Sequence, residues 1–248
     1  MDVPTLSLVL PAYNEAPNIA LSVARGRAVL ESLGGDWEIV AVDDGSTDGT
    51  GEILAGLRAA DPRIVVVHHA RNQGYGAALR SGFRAASCDL VFFTDADLQF
   101  DVGELPRLLS LVRRYDIVAG YRSPRRDPAW RRLNAWAWGR LVGGLFDLPV
   151  RDVNCAFKLF DRRVLDQIVV RSGGAFVNTE ILVRARAAGF TLVEVPVRHF
   201  PRVAGSQSGA RPEVVARAFR ELLALYGDLR QAGPPPRAAG VEEGLAGA

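Results

Sequence analysis

Short apolar runs alternate with longer amphipathic stretches through the first half of the chain. The runs at Leu6–Leu10, Trp37–Val42, Ile64–His68, Leu90–Thr94 and Asp116–Ala119 predict strands. Between them, Glu15–Leu33, Thr50–Ala60, Tyr75–Ala86 and Val102–Arg114 predict helices. The strand runs are apolar without clean alternation, the pattern of parallel strands covered on both faces. Repeated strand–helix units imply right-handed crossovers and an open, doubly wound, mostly parallel α/β sheet. In such sheets ligands bind beyond the carboxyl ends of the strands. From Arg122 to Phe146 the pattern gives way to arginine, tryptophan and small residues. A strand at Ala156–Phe160, helices near Val164–Ile168 and Thr179–Ala188, and a strand at Leu192–Val195 follow. A polar loop, Arg198–Arg211, leads into a last helix at Pro212–Leu229. There Val215, Phe219, Leu222, Leu223 and Tyr226 recur at helical spacing.

Composition narrows this picture. At 248 residues and 48% hydrophobic, the chain can bury a sizeable core. A net charge of +2 is no nucleic-acid signature, and no nucleic-acid partner is expected. Only Lys158 among the 30 basic residues is lysine, so one surface arginine carries little information. Cys88 and Cys155 stand far apart beside apolar runs, and read as buried free thiols in a reducing compartment. The opening MDVPTLSLVLPAYNE reads as a first strand and not as a signal peptide. No run of about 18 apolar residues predicts a membrane span. Residues 1–231 are expected to form one domain, and the Pro/Gly-rich 232–248 a disordered tail.

The polar residues gather at the predicted strand ends: PAYNE after the first, DDGSTDGT after the second, ARNQGYG after the third, DADLQ after the fourth. In Asp95-Ala96-Asp97, residues i and i+2 of an extended chain point the same way, about 7 Å apart. Two carboxylates so placed, with Gln99 as a third oxygen donor, suit one hard divalent ion, Mg²⁺ or Mn²⁺. A solvated turn ending a strand would use the same residues. The carboxylate of Asp44 suits the ring N–H and exocyclic amine of a purine, or the imide N–H of uracil. Asp48 or Thr47 suits the cap of the next helix. The chain has no phosphate-loop lysine motif, and the first turn lacks the glycines of a dinucleotide fingerprint. Gly74-Tyr75-Gly76 reads best as close backbone packing.

Together PAYNE, VDDGSTDGT, RNQGYGAAL, TDADLQF and PRVAGSQSGARP closely resemble the family-2 inverting glycosyltransferases of GT-A fold. The nearest resemblance is to the dolichyl- or polyprenyl-phosphate mannose or glucose synthases, over about residues 5–228. The resemblance implies that Pro11, Tyr13, Glu15, Val42 and Asp44 hold the nucleoside of a sugar-nucleotide donor. It gives Asp95, Ala96, Asp97 and Gln99 to metal and diphosphate, and Arg202 to the donor diphosphate. Arg122 and Arg131 resemble the arginines that hold a polyprenyl-phosphate acceptor. Glu180 falls where many such enzymes place a base near a hydroxyl acceptor; a helix first turn also favours a glutamate there.

Arg122–Arg140 combines six arginines with Trp130, Trp136 and Trp138. Rings at headgroup level and guanidinium groups on phosphate suit a peripheral position on the cytoplasmic face of a membrane, alone or with a membrane-anchoring partner subunit. The competing expectation is a helix docked on the sheet or on a second subunit, with its arginines in water. The function expected is metal-dependent transfer of a hexose from a GDP-mannose- or UDP-glucose-type donor to polyprenyl phosphate. Its rivals are transfer to a hydroxyl with Glu180 as base, and a non-catalytic sugar-nucleotide-binding subunit.

Overall fold

A computed structural model describes residues 4–124, 129–202, 212–231 and 242–243, without the side chains of 129–131, 212, 213, 231, 242 and 243. The strands are β1 (Leu6–Ala12), β2 (Trp37–Asp43), β3 (Ile64–His68), β4 (Leu90–Thr94), β5 (Ile117–Arg122), β6 (Phe157–Asp161), β7 (Leu192–Val197) and β8 (Glu242–Glu243). The helices are α1 (Ala16–Leu33), α2 (Thr50–Ala60), α3 (Tyr75–Ala85), α4 (Leu105–Leu109), α5 (Ala129–Phe146), α6 (Arg162–Gln167), α7 (Val177–Ala187) and α8 (Pro212–Gln231). The long helix expected over Val102–Arg114 is shorter: a 3₁₀ turn at Val102–Glu104, then α4. Within the tail, Glu242–Glu243 pairs with Val193–Glu194 of β7.

The sheet runs β3-β2-β1-β4-β6-β5-β7-β8. Only β6 is reversed; it pairs antiparallel with both β4 and β5. The carboxyl ends of β1 to β5 and β7 therefore share one edge. The reversed β6 brings its amino end, with Val153–Ala156, to that same edge.

Alternation puts neighbouring residues of one strand on opposite faces. A Cβ on Gly26 of α1 would meet Leu8 at 2.4 Å, and one on Gly82 of α3 would meet Val9 at 2.4 Å. So α1 and α3 cover opposite faces, and glycine lets each helix lie close to its strand. Val9 stands beside Phe93, and Leu8 beside Phe92. The rings divide in the same way. Phe93 joins Phe83 and Phe160 at 5.8 and 6.0 Å under α3, while Phe92 and Phe157 stand 4.7 Å apart on the other side. Both faces are thus filled, which explains why the strand runs lack alternation. Each such buried side chain contributes about 1.5–3 kcal/mol relative to exposure. Among the described residues no helix is long and apolar enough to cross a membrane.

Candidate functional site

At the carboxyl edge the turns after β1 and β2 are sewn together. Asn14 adopts the left-handed conformation (φ 55°), in which asparagine is well tolerated. Its Oδ1 accepts the Thr47 N–H and its own N–H donates to Ser46 Oγ, both at 2.9 Å. Helix α2 starts after Gly49, and Asp48 accepts from Thr50 N–H at 3.1 Å and from Ala16 N–H at 3.0 Å. The cap position of α2 is therefore Gly49 and not Asp48 or Thr47, while Asp48, one residue earlier, ties the first residues of two helices together. Pro11 lies opposite Val42 and Ala12 opposite Asp43. Val42 is wholly buried, and a Cβ on Gly82 would meet it at 3.2 Å. Tyr13 is 48% exposed at the rim.

Two aspartate–histidine pairs close the neighbouring ends of β2 and β3. Asp43 accepts Ser46 N–H at 3.0 Å and pairs with His68 Nδ1 at 2.8 Å. Asp44 pairs with His69 Nδ1 at 2.6 Å and accepts the N–H groups of Gln73 (2.9 Å) and Gly74 (2.8 Å). The histidines are not spaced as a metal site in the sequence. The repeat of DD and HH at the ends of adjacent strands was the signal available.

Asp95 and Asp97 follow β4, Asp97 buried and Asp95 half-buried. Burial, then the charge of Asp97, lifts the Asp95 carboxyl to about 7, against the hydrogen bond it accepts from Tyr75 Oη at 2.9 Å. Burial also raises Asp97, although it accepts Gln99 N–H at 3.1 Å. Ala96 is buried, and its carbonyl accepts from Ser22 Oγ at 2.6 Å. Gln99 turns its amide nitrogen to the Phe200 carbonyl at 3.2 Å. A bridge between Phe100 and His199 and the bond from Phe200 N–H to Gln99 carbonyl lay the segment after β7 over this turn. Arg202 thereby reaches Asp97 at 3.3 Å and also pairs with Glu15. Glu15 is held from beneath by Asn18 Nδ2 at 2.7 Å and donates its N–H to Thr50 Oγ1 at 2.9 Å.

The donor set suits a hard divalent ion. Two closely placed, desolvated carboxylates repel each other, and a cation between them removes that cost. Among the described residues no group of three His, Cys, Asp or Glu side chains gathers as a closed cage. Two protein oxygens leave open positions for phosphate oxygens.

Gly74-Tyr75-Gly76 packs as expected. A Cβ on Gly76 would lie 2.3 Å from the Ser172 carbonyl, and Gly76 N–H donates to the Gly173 carbonyl at 3.1 Å. Glu180 lies behind that contact. Its Oε2 accepts the N–H groups of Arg171 (3.0 Å) and Ser172 (2.7 Å), and its Oε1 accepts from Arg184 Nε at 2.7 Å. Arg122, at the end of β5, is held bidentately by buried Asp152 at 2.6 and 2.8 Å. The side chain of Arg131 lies outside the described residues. Lys158 is fully buried on β6, donating to the carbonyls of Val153 (3.2 Å) and Cys155, and burial lowers its pKa. In α5, Trp136 is 65% exposed. Trp138 instead stands edge-on to Phe176 and Phe219 at 6.1 and 5.4 Å.

The family model for glycosyl transferase family 2 matches residues 7–173. The chain belongs to glycosyl transferase family 2. One relative, the undecaprenyl-phosphate 4-deoxy-4-formamido-L-arabinose transferase of Pseudomonas savastanoi pv. phaseolicola, is 36% identical over 218 residues, covering 86% of this chain and 63% of the relative. The Salmonella paratyphi A protein of the same name is 31% identical over 227 residues, covering 90% of this chain and 66% of the relative. The family-2 chain thus spans just under two thirds of the length of these relatives. Among solved structures, glucosyl-3-phosphoglycerate synthase from Mycobacterium tuberculosis, in complex with Mn²⁺, UDP and glucosyl-3-phosphoglycerate, superposes with TM-score 0.64 at 23% identity, over 96% of this chain and 83% of that one. Mannosyl-3-phosphoglycerate synthase from Rubrobacter xylanophilus gives 0.67 at 20% identity, over 93% and 75%. At such identities the likeness concerns the fold, which is that of the family's GT-A members.

Proposed function

We propose that this family-2 chain is a metal-dependent inverting glycosyltransferase that moves a sugar from a nucleoside diphosphate to a polyprenyl phosphate. The observation that carries the reading is the desolvated pair Asp95 and Asp97 with Arg202 against it, at the edge where the sheet topology collects ligands. The names of the relatives support a polyprenyl-phosphate acceptor. The Mn²⁺ and UDP of a structural neighbour support a divalent ion at the carboxylates.

In this mechanism Tyr13, at the rim, and Asp44, at the floor, hold the nucleoside, with Pro11 and Val42 shaping the strand ends beneath it. Asp95 and Asp97, with Gln99 beside them, would hold Mg²⁺ or Mn²⁺, with Ala96 between them beside the diphosphate. The bound ion supplies charge neutralisation to the leaving nucleoside diphosphate. Arg202 exchanges Asp97 and Glu15 for the donor phosphates and stabilises the same charge. Arg122 and Arg131 orient the acceptor phosphate in line with the anomeric carbon. A phosphate monoester is already anionic at neutral pH, so no residue has to remove a proton. Both carboxylate oxygens of Glu180 are occupied by donors of its own fold, which favours this acceptor over a hydroxyl.

The chain acts, on this reading, from the cytoplasmic face of a membrane, with exposed Leu133 and Trp136 toward the lipid. The test crosses GDP-mannose, UDP-glucose and UDP-GlcNAc with polyprenyl phosphate and Mn²⁺ or Mg²⁺. The expected result is a lipid-extractable sugar product that disappears in EDTA. Donor binding without any nucleotide release would instead mark a silent binding module.

A further inference from the structure

The two carboxylates after β4 offer a cation fewer oxygens than they possess, and Tyr75 is one cause. On Asp95, Oδ1 accepts from Tyr75 Oη at 2.9 Å, and among the described residues no donor reaches Oδ2. On Asp97, Oδ1 accepts Gln99 N–H at 3.1 Å, while Oδ2 faces the exchangeable side chain of Arg202 at 3.3 Å. The ring of Tyr75 is held in place. It opens α3 between Gly74 and Gly76, where a Cβ would lie 2.6 Å from the Gly173 carbonyl and 2.3 Å from the Ser172 carbonyl. Its hydrogen is held as well. A phenol has one O–H to give. Asn178, buried on α7, hydrogen-bonds the same phenol. Asn178 Oδ1 lies 3.5 Å from Nζ of Lys158, a group that donates and does not accept. The amide therefore turns its N–H to Tyr75 Oη, and the phenol hydrogen is committed to Asp95. Lys158, buried on β6, thus acts on Asp95 through two intervening side chains.

A carboxylate chelates a cation with both oxygens, and one whose Oδ1 is taken gives a single oxygen. Ca²⁺ takes about six to eight oxygens and uses bidentate carboxylates to gather them. Mg²⁺ and Mn²⁺ suit an octahedral set of single oxygens, most of which water and phosphate can supply. We infer that Tyr75 is a positioning residue that holds Asp95 to one ligating oxygen, and that the Lys158–Asn178–Tyr75 chain thereby selects a small octahedral ion, Mg²⁺ or Mn²⁺, against Ca²⁺. The inference rests on the reading of Asp95 and Asp97 as the carboxylates that hold the ion.

The experiment measures binding of UDP and of GDP to the full chain by calorimetry, at saturating Mn²⁺, at saturating Ca²⁺ and in EDTA. Whichever nucleotide binds, the wild type should hold it at least about tenfold tighter with Mn²⁺ than with Ca²⁺, the scale on which an outer partner of a metal ligand acts. Asp97→Asn should gain nothing from either ion. Tyr75→Phe keeps the ring and removes the O–H. Asp95 can then turn both oxygens to the larger ion, so the ratio of Mn²⁺ to Ca²⁺ should fall to about threefold or less, on the same scale. Asn178→Leu keeps the phenol but frees its hydrogen, and should move the ratio the same way by a smaller factor. A merely structural tyrosine would lower the melting temperature, or weaken binding with both ions alike, and leave the ratio alone. A folded Tyr75→Phe with the wild-type ratio therefore overturns the inference, as does a wild type that binds equally with Ca²⁺ and Mn²⁺, and the carboxylate reading would stand in both cases. Binding as tight in EDTA as in Mn²⁺, a full gain from Mn²⁺ in Asp97→Asn, or no binding of either nucleotide would remove both. Should Tyr75→Phe fail to fold, an unchanged ratio in Asn178→Leu overturns the role, and the wild-type ratio stands as a test on its own.

Discussion

The two halves of the carboxyl edge are built differently. On the side we propose for the donor, Tyr13, Asp44, Asp95 and Asp97 sit one to three residues beyond the ends of parallel strands β1, β2 and β4, and short turns hold them. On the side we propose for the acceptor the groups are brought from afar. Arg122 depends on Asp152, 30 residues away, and Trp138 docks against Thr179 of α7 and Phe219 of α8. A site made of strand-end turns is compact in sequence, although Arg202 reaches Asp97 from 105 residues further on. A site made of long-range ion pairs is set by the whole fold. Substitutions on the two sides should therefore fail in different ways.

The largest effect is expected at the carboxylates. Asp97→Asn removes one ligand charge at a strand end and no core contact, so transfer should fall at least about a thousandfold with little change in melting temperature. Asp95→Asn should be severely impaired, and EDTA should abolish wild-type activity. Full transfer in EDTA, or by Asp97→Asn, would erase the distinction, because the donor side would then carry no chemistry.

This contrast also explains what was legible in the sequence. The β2, β3 and β4 runs were predicted within a residue of their observed bounds because parallel strands buried on both faces leave a dense apolar signal. The motifs beyond them were legible for the same reason, being contiguous. The reversal of β6 was not, since Phe157–Asp161 is one more apolar run and direction leaves no mark in it. Nor were Tyr75 on Asp95, His69 on Asp44 or Asp152 on Arg122, whose partners lie 20 to 30 residues away in sequence. The tryptophans looked alike in sequence, yet Trp136 faces water and Trp138 is packed.

On the acceptor side, Arg131→Ala should raise the KM for polyprenyl phosphate about ten- to a hundredfold, the value of one charge-assisted contact. Arg122→Ala should do the same but also lower stability, because it strands the buried Asp152. Steady-state kinetics with varied acceptor, beside a thermal melt, separates the two. If either variant changes donor KM alone, the assignment of that arginine to the acceptor fails.

The pair of tryptophans sharpens the picture further. Trp136→Ala should weaken flotation with anionic liposomes severalfold while leaving the melting temperature near wild type. Trp138→Ala should cost about 1.5–3 kcal/mol of stability, since the ring is partly buried against the core. Equal losses of flotation in two equally stable variants would show that α5 is not divided between a lipid face and a docked face.

The smallest effect on catalysis is expected at Glu180, although it is among the most buried acids of the chain. If Glu180 were a general base, Glu180→Gln would cost roughly 10² to 10⁴ in rate. Its geometry gives another outcome. Two backbone N–H groups and Arg184 Nε already converge on its oxygens, tying the Arg171–Ser172 segment to α7. Through the Gly173 carbonyl, that segment supports Gly76 at the start of α3. A glutamine keeps one oxygen for the two backbone donors but turns an N–H toward Arg184, donor against donor. The cost falls on folding, about 1–3 kcal/mol for the unsatisfied pair, and kcat at a temperature well below the melt should stay within about tenfold of wild type. Glu180→Ala should lose more stability and, if folded, still turn over. A thousandfold loss of kcat in a Glu180→Gln protein that melts like wild type would sink the phosphate-acceptor reading in favour of a hydroxyl, and would move Glu180 from the frame of the site into its chemistry.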